Sequence, residues 1–301
     1  MGSTFEGIFP ALVTPMTAEE TLDCAKLGDF ANYLIESGVH GLIPLGSTGE
    51  YYALSSDERK AVVSTTIEAA AGRVPVLVGT NAGSTRQVAE FSQQAEALGA
   101  DGVLLAAPYY SLPTPDELFE HFRVVDDAIG IPIMLYNYPG RTGVDMTPDL
   151  IERLAELKNV RYVKESTGDM TRVSEIIRRS GDKIQVFCGC DTLALESFLM
   201  GAVGWVGGVV NVLPREHVRL FKLAHEEKDL LGARDLYYRL LPTLSLMEGG
   251  GKYTQFVKAG CGLAGHPVGP PRRPLLPANP EEIERLKETL SELERASGSS
   301  V

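Results

Sequence analysis

Short apolar, β-branched runs alternate with amphipathic helical stretches through the first 228 residues, at a spacing of roughly 28 residues. Strands are expected at 7–13, 41–45, 74–79, 102–106, 131–136, 160–164, 184–188 and 203–207. Helical patterns lie between them, at 84–98, 115–128, 147–157, 169–179, 191–200 and 214–227. One further helix starts at Ser55-Ser56-Asp57-Glu58, which has the spacing of a capping box. Eight such units without an antiparallel hairpin signal predict an α/β chain folded as a (β/α)8 TIM barrel. A doubly wound sheet is the rival, but it usually has fewer strands and a glycine-rich first turn.

After about residue 228 the pattern turns to helices only, at 230–248, 252–263 and 280–296. Gly249-Gly250-Gly251 separates the first two. The Pro-rich stretch 267–280, around Arg272 and Arg273, is expected to run extended over the barrel. Residues 296–301 are expected to fray. The predicted organisation is therefore a barrel of residues 1–228 carrying the active site, followed by a helical subdomain of residues 229–301.

Composition narrows the functional classes. The 301 residues are 44% hydrophobic and 23% charged, enough for a large core. A net charge of -12 argues against nucleic acid and anionic membranes as partners. It leaves room for an anionic substrate, because local donors can dominate a site. Cys24, Cys188, Cys190 and Cys261 fit neither a zinc pattern nor a disulfide framework. Cys188-Gly189-Cys190 could be a redox pair, but buried core thiols are the stronger expectation. No leader sequence and no spanning apolar run is visible, so a cytoplasmic protein is expected. Gly260-Cys261-Gly262-Leu263-Ala264-Gly265 matches dinucleotide spacing, but it follows a helix instead of joining a strand to one. The histidines His40, His121, His217, His225 and His266 show no ligand spacing and no triad. No cofactor and no metal is expected.

A barrel enzyme carries its chemistry at the carboxyl ends of its strands. Lys164 ends the run Val160-Arg161-Tyr162-Val163-Lys164 and precedes the turn Glu165-Ser166-Thr167-Gly168-Asp169. A lysine there faces a large desolvation cost if it stays charged, which favours the neutral, nucleophilic amine. A lone lysine in a βα loop is far more often a surface residue; it is the company of the other strand ends that gives Lys164 weight. Period-two alternation puts Pro132, Met134 and Tyr136 on one face, so Tyr136 would point into the barrel top beside Lys164 and could shuttle protons. Arg141, in the following loop, could clamp a carboxylate with two hydrogen bonds or merely make a loop salt bridge. Gly46-Ser47-Thr48-Gly49-Glu50 offers hydroxyl and N–H donors suited to a carboxylate, although an ordinary turn would look the same. Tyr109 and Tyr110 could carry a hydroxyl into a cleft or a subunit interface, or simply pack. Gly189 and the glycines around Val206 could cradle a phosphate or leave room for a small ligand, and Trp205 is expected in the core.

Together, Gly46-Ser47-Thr48-Gly49-Glu50, Pro108-Tyr109-Tyr110, the stretch from Tyr136 through Asn137, Pro139 and Arg141 to Thr142, and Val163-Lys164-Glu165 resemble the dihydrodipicolinate synthase / N-acetylneuraminate lyase family. The resemblance covers nearly the whole chain, including Pro271-Arg272-Arg273-Pro274-Leu275-Leu276-Pro277. It implies a class I, Schiff-base-forming barrel enzyme acting on pyruvate or another 2-oxo acid and an aldehyde, usually as a homotetramer built from two dimers. It further implies that Lys164 forms the imine, Tyr136 is the hub of a proton relay and Ser47 belongs to that relay. Tyr110 would complete the relay of a neighbouring subunit. Thr48 would contact the pyruvyl carboxylate, while Val206 and Gly189 would line the substrate pocket. Arg141 matches the synthase arginine that receives the aldehyde's carboxylate. Ser47 is a lyase-like choice where synthases usually have threonine, and Tyr138, Thr167 and Trp205 are also atypical. The stretch 51–60 lacks histidine, and Gly83 and Gln87 stand where lysine-inhibited synthases tend to have asparagine and glutamate, so inhibition by lysine is not expected.

Three functions follow as expectations. The first is condensation of pyruvate with aspartate semialdehyde, favoured by Arg141. The second is an aldolase or dehydratase of 2-keto-3-deoxy sugar acids, which would share the imine. The third, a non-catalytic barrel that binds a 2-oxo acid, gives no reason for lysine, tyrosine, arginine and hydroxyls to occur together.

Overall fold

The computed structural model describes residues 5–298. Its strands are β1 (Gly7–Pro10), β2 (Leu77–Gly79), β3 (Gly102–Ala106), β4 (Ile133–Asn137), β5 (Val160–Glu165), β6 (Gln185–Cys188) and β7 (Gly204–Gly207). All are parallel and hydrogen-bonded in the order β1-β7-β6-β5-β4-β3-β2. Residues 41–45 close the ring between β1 and β2. Leu12 N donates to Ile43 O at 2.9 Å, Leu77 N to Leu42 O at 2.9 Å and Gly79 N to Pro44 O at 2.9 Å. This expected strand thus takes its place in a (β/α)8 barrel through parallel bridges alone. Pro44 has no N–H to give, and Leu45 turns into the left-handed region (φ 59°), so a regular ladder stops there.

The helices are α1 (Cys24–Glu36), α2 (Ser56–Ala70), α3 (Thr85–Ala97), α4 (Pro115–Ala128), the single turn α5 (Pro139–Thr142), α6 (Pro148–Leu154), α7 (Met170–Ser180), α8 (Ala194–Leu199) and α9 (Pro214–Phe221), which continues as a π-helical turn over Lys222–Glu226. The capping box of α2 forms as expected: Glu58 N donates to Ser55 Oγ, and Ser55 N to Glu58 Oε2 at 2.8 Å. α1 was absent from the sequence expectation. Its signal was present, since Asp23 caps its first turn and Leu27, Phe30, Ala31 and Leu34 bury one face.

Strand side chains alternate between two apolar layers. Phe9, Leu77, Leu104, Met134, Tyr162 and Phe187 fill the barrel interior, while Ile8, Val78, Val103, Leu135 and Val163 face the helices. Trp205 is fully buried, as expected. Beyond the barrel lie α10 (Leu230–Gly249), α11 (Tyr253–Leu263) and α12 (Pro280–Gly298). α12 runs past Ala296, where fraying was expected to begin; residues 299–301 of that expectation lie outside the described residues. Among the described residues, no helix is long and apolar enough to cross a membrane.

Candidate active site

Tyr136 and Lys164 are register partners at the carboxyl ends of β4 and β5. Both are nearly buried, and Lys164 Nζ lies 4.2 Å from the centroid of the Tyr136 ring. The next residue on each strand faces outward, and these two tie the strand ends together. Asn137 Nδ2 donates to Glu165 Oε2 at 3.1 Å and to Asp145 Oδ1 at 3.1 Å, while Thr167 N donates to Glu165 Oε1 at 2.6 Å. Burial raises the Glu165 carboxyl above its ordinary range, against the pull of these donors. Alternation thus sends Tyr136 and Lys164 inward and leaves their outward neighbours to tie the strand ends together.

Above this pair is a cavity of about 270 Å³, walled by Ser47, Thr48, Tyr136, Tyr138, Arg141, Lys164, Ser166, Gly189, Cys190, Gly208, Glu248, Gly251 and Tyr253, with Gly140 at its edge. A second hollow of about 180 Å³ adjoins it, sharing Ser47, Tyr136, Tyr138 and Arg141 and adding Tyr51, Tyr52, Asn81 and Tyr109. Arg141 sits on α5 with its guanidinium 5.6 Å from the Tyr138 ring centroid, and no acidic side chain among the described residues pairs with it. A guanidinium without an acidic partner beside a cavity is chemically suited to receive a carboxylate.

The turn carrying Ser47 and Thr48 is bracketed by two non-glycine residues in the left-handed region, Leu45 (φ 59°) and Glu50 (φ 56°). Each such residue costs roughly 1–2 kcal/mol, so the surroundings must hold the turn. Gly79 makes room for it, since a Cβ there would sit 2.1 Å from Leu45 O. Thr14 Oγ1 donates to Gly49 O at 2.7 Å.

Gly189 has a similar role on the opposite side. A Cβ there would meet Ser166 Oγ at 1.9 Å and Lys164 Cγ at 2.8 Å. Ser166 Oγ is buried and has no protein partner, which leaves a hydroxyl free at the cavity wall. Behind this side of the cavity lies a pair of acidic groups, the buried Asp191 and the half-buried Glu248, the latter lining the cavity. Asp191 accepts from Trp205 Nε1 at 2.9 Å and from the Tyr253 hydroxyl, which itself accepts from Gly208 N at 2.8 Å. Glu248 accepts from Asp191 N at 3.1 Å and Thr192 N at 2.9 Å. Burial, reinforced by Glu248, pushes the Asp191 carboxyl up to about 7, against the pull of Tyr253, Trp205 and the Lys164 charge.

Of the residues singled out in the sequence, Ser47, Thr48, Tyr136, Arg141, Lys164 and Gly189 meet at one cavity. Val206 does not wall it; it is fully buried in the interior layer of the barrel. Tyr110 does not reach it either. This residue is 97% exposed, with φ 73°, on the loop after β3. The redox alternative for Cys188 and Cys190 finds no support: burial raises both thiols, Cys190 up to about 12, and a thiolate is the reactive form. Ser166, Tyr253 and Glu248 were missed. Ser166 follows Lys164 by two and so had the period-two signal, whereas Tyr253 and Glu248 come from the C-terminal helices, where nothing local marks them.

The sequence profile of the dihydrodipicolinate synthetase family matches residues 4–293. A 4-hydroxy-tetrahydrodipicolinate synthase of Pelobacter propionicus is 43% identical over 237 residues, 79% of this chain and 81% of that protein. One of Methanospirillum hungatei is 38% identical over 290 residues, 95% of this chain and 99% of that protein. The crystal structure of the chloride-inhibited dihydrodipicolinate synthase of Acinetobacter baumannii, complexed with pyruvate, superposes with a TM-score of 0.91 at 33% identity, covering 97% of this chain and 99% of that one. The barrel, the lysine and tyrosine at its mouth and these matches agree: the chain belongs to the dihydrodipicolinate synthetase family.

Proposed function

We propose that the chain condenses pyruvate with aspartate semialdehyde, the reaction of a 4-hydroxy-tetrahydrodipicolinate synthase, through an imine on Lys164. The observation that carries this reading is the Lys164 amine over the Tyr136 ring, at a cavity whose wall includes an arginine with no acidic partner among the described residues. Relatives of that name at 37–43% identity, and the pyruvate bound by the Acinetobacter baumannii protein, support it.

In this mechanism the neutral Lys164 amine attacks C2 of pyruvate, and the carbinolamine loses water to give the imine. Removal of a proton from C3 gives the enamine, whose C3 then bonds to the aldehyde carbon as the C=O π bond opens and its oxygen takes a proton. The semialdehyde's own amino group then adds to C2 and displaces the Lys164 amine, closing the ring and freeing the lysine. Tyr136 moves protons in these steps, with Ser47 as its neighbour in the relay. Thr48 holds the pyruvyl carboxylate, and Gly189 leaves the space that the imine lysine needs. Arg141 holds the carboxylate of the aldehyde. Val206 acts from beneath, as packing under the pocket. Tyr110 completes the relay of a second copy of the chain, so the active form is a cytoplasmic homo-oligomer, a dimer or a pair of dimers. Residues 1–228 form the barrel that does the chemistry, and residues 229–301 the helical subdomain that walls it.

A substrate panel tests this reading. Pyruvate with aspartate semialdehyde is expected to turn over, and 2-keto-3-deoxy sugar acids alone are not. Losing a charge-assisted hydrogen bond costs roughly 1.5–3 kcal/mol, so Arg141→Ala should raise the KM for the semialdehyde strongly while leaving pyruvate imine formation nearly unchanged. Turnover of the sugar acids, untouched by Arg141→Ala, would replace the synthase reading with the aldolase or dehydratase one.

A further inference from the structure

Outside the cavity lining, the chain contains an ion pair shut off from solvent. Lys258, on α11, lies 2.6 Å from Glu50 Oε1, and the two side chains are 1% and 0% exposed. Glu50 is the last residue of the turn that presents Ser47 and Thr48, and it is one of the turn's two left-handed residues. Its other oxygen accepts from Arg272 N at 2.7 Å. Lys258 Nζ also donates to Pro270 O at 2.9 Å. The Arg272 guanidinium in turn donates to Glu20 O, to Ala53 O at 2.9 Å and to both oxygens of Glu58, which completes the Ser55 capping box of α2. One carboxylate therefore joins the substrate-facing turn to α11 and to the Pro-rich strap, and the strap is pinned to the start of the helix that follows the turn.

Stability alone is a weak reason for such a pair. Two buried charges usually gain no more from each other than they lose in desolvation, and apolar residues of the same volume would often serve as well. A strained turn that must hold two hydroxyl-bearing residues in place gives it a purpose. We propose that Glu50 and Lys258 are positioning residues, a latch through which the C-terminal helices and the strap hold the turn, with Thr48 at the substrate carboxylate and Ser47 beside Tyr136. The latch rests on the pyruvate reading given above. It makes the C-terminal region part of the binding apparatus although neither member of the pair lines the cavity.

The test is the pyruvate concentration that half-saturates borohydride trapping, measured on the full-length chain. Glu50→Gln combined with Lys258→Met removes both charges at nearly constant volume, so neither partner is left buried and unpaired. Its fold and melting temperature are checked first. A latch predicts half-saturation raised about 10- to 100-fold, with full trapping still reached at high pyruvate. A purely structural pair predicts that the double variant half-saturates like the wild type whatever its melting temperature, and that result would overturn the proposal. Arg272→Ala loosens the strap from outside and leaves no fully buried charge. It should raise half-saturation in the same direction by a smaller factor, and it decides the matter if the double variant does not fold: an unchanged value contradicts the latch. Absence of trapping in the wild type would count against the Lys164 imine itself, and the latch would fall with it.

Discussion

At the scale of single residues, the proposed mechanism divides labour between groups that react and groups that hold them. Tyr136 lines the cavity with its ring against Lys164, so in the proposed mechanism Tyr136→Phe removes the proton carrier and keeps the packing. Its kcat should fall by about 10²–10⁴-fold with little change in melting temperature; an unchanged kcat, with chemistry rate-limiting, would remove it from the relay. Asp191 makes a different prediction. The folded protein keeps a proton on this carboxyl up to about pH 7, while an unfolded chain sheds it near the ordinary 3.8. Its contribution to stability is therefore full below about pH 4 and is lost as pH rises toward about 7. Urea unfolding of wild type and Asp191→Asn across that window should show a wild-type slope that flattens in the variant. Equal slopes would mean that Tyr253, Trp205 and Lys164 hold Asp191 ionised throughout, against burial and Glu248.

At the scale of elements, legibility followed the range of the determining interactions. The capping box of α2, the alternation on β4 and the placing of Lys164 at the end of β5 depend on neighbours in sequence, and all three could be read directly. The closing segment at 41–45 was located correctly, but its irregular pairing is set by Pro44 and by the left-handed turn at Leu45. Tyr253 and Glu248 reach the cavity only because α10 and α11 fold back over β6 and β7, and no local pattern announces a long-range contact. Gly189 lies between these cases. Its place at a strand end was legible; the contact that forbids a side chain was not. Gly189→Ala should displace Lys164 and Ser166, lowering imine formation far more than melting temperature. Wild-type trapping in that variant would show that the strand end can yield.

At the scale of the whole molecule, the barrel was evident from its repeat, and the features still unused point outward. Tyr110 is almost wholly exposed with a left-handed backbone, beside the half-exposed Tyr109 and Leu112. If Tyr110 serves a second copy, specific activity should fall on dilution in step with dissociation seen by sedimentation, and Tyr110→Phe should lower kcat without dissociating the oligomer. A monomer of full activity would end the shared-site reading. The central claim, that a strand-end amine beside a tyrosine forms the covalent intermediate, has a more direct test. Borohydride added with pyruvate, followed by peptide mass spectrometry, should find one reduced pyruvyl group per chain, on the Lys164 peptide, and none in Lys164→Ala. Labelling at another lysine, or an unlabelled wild-type chain, would contradict the account.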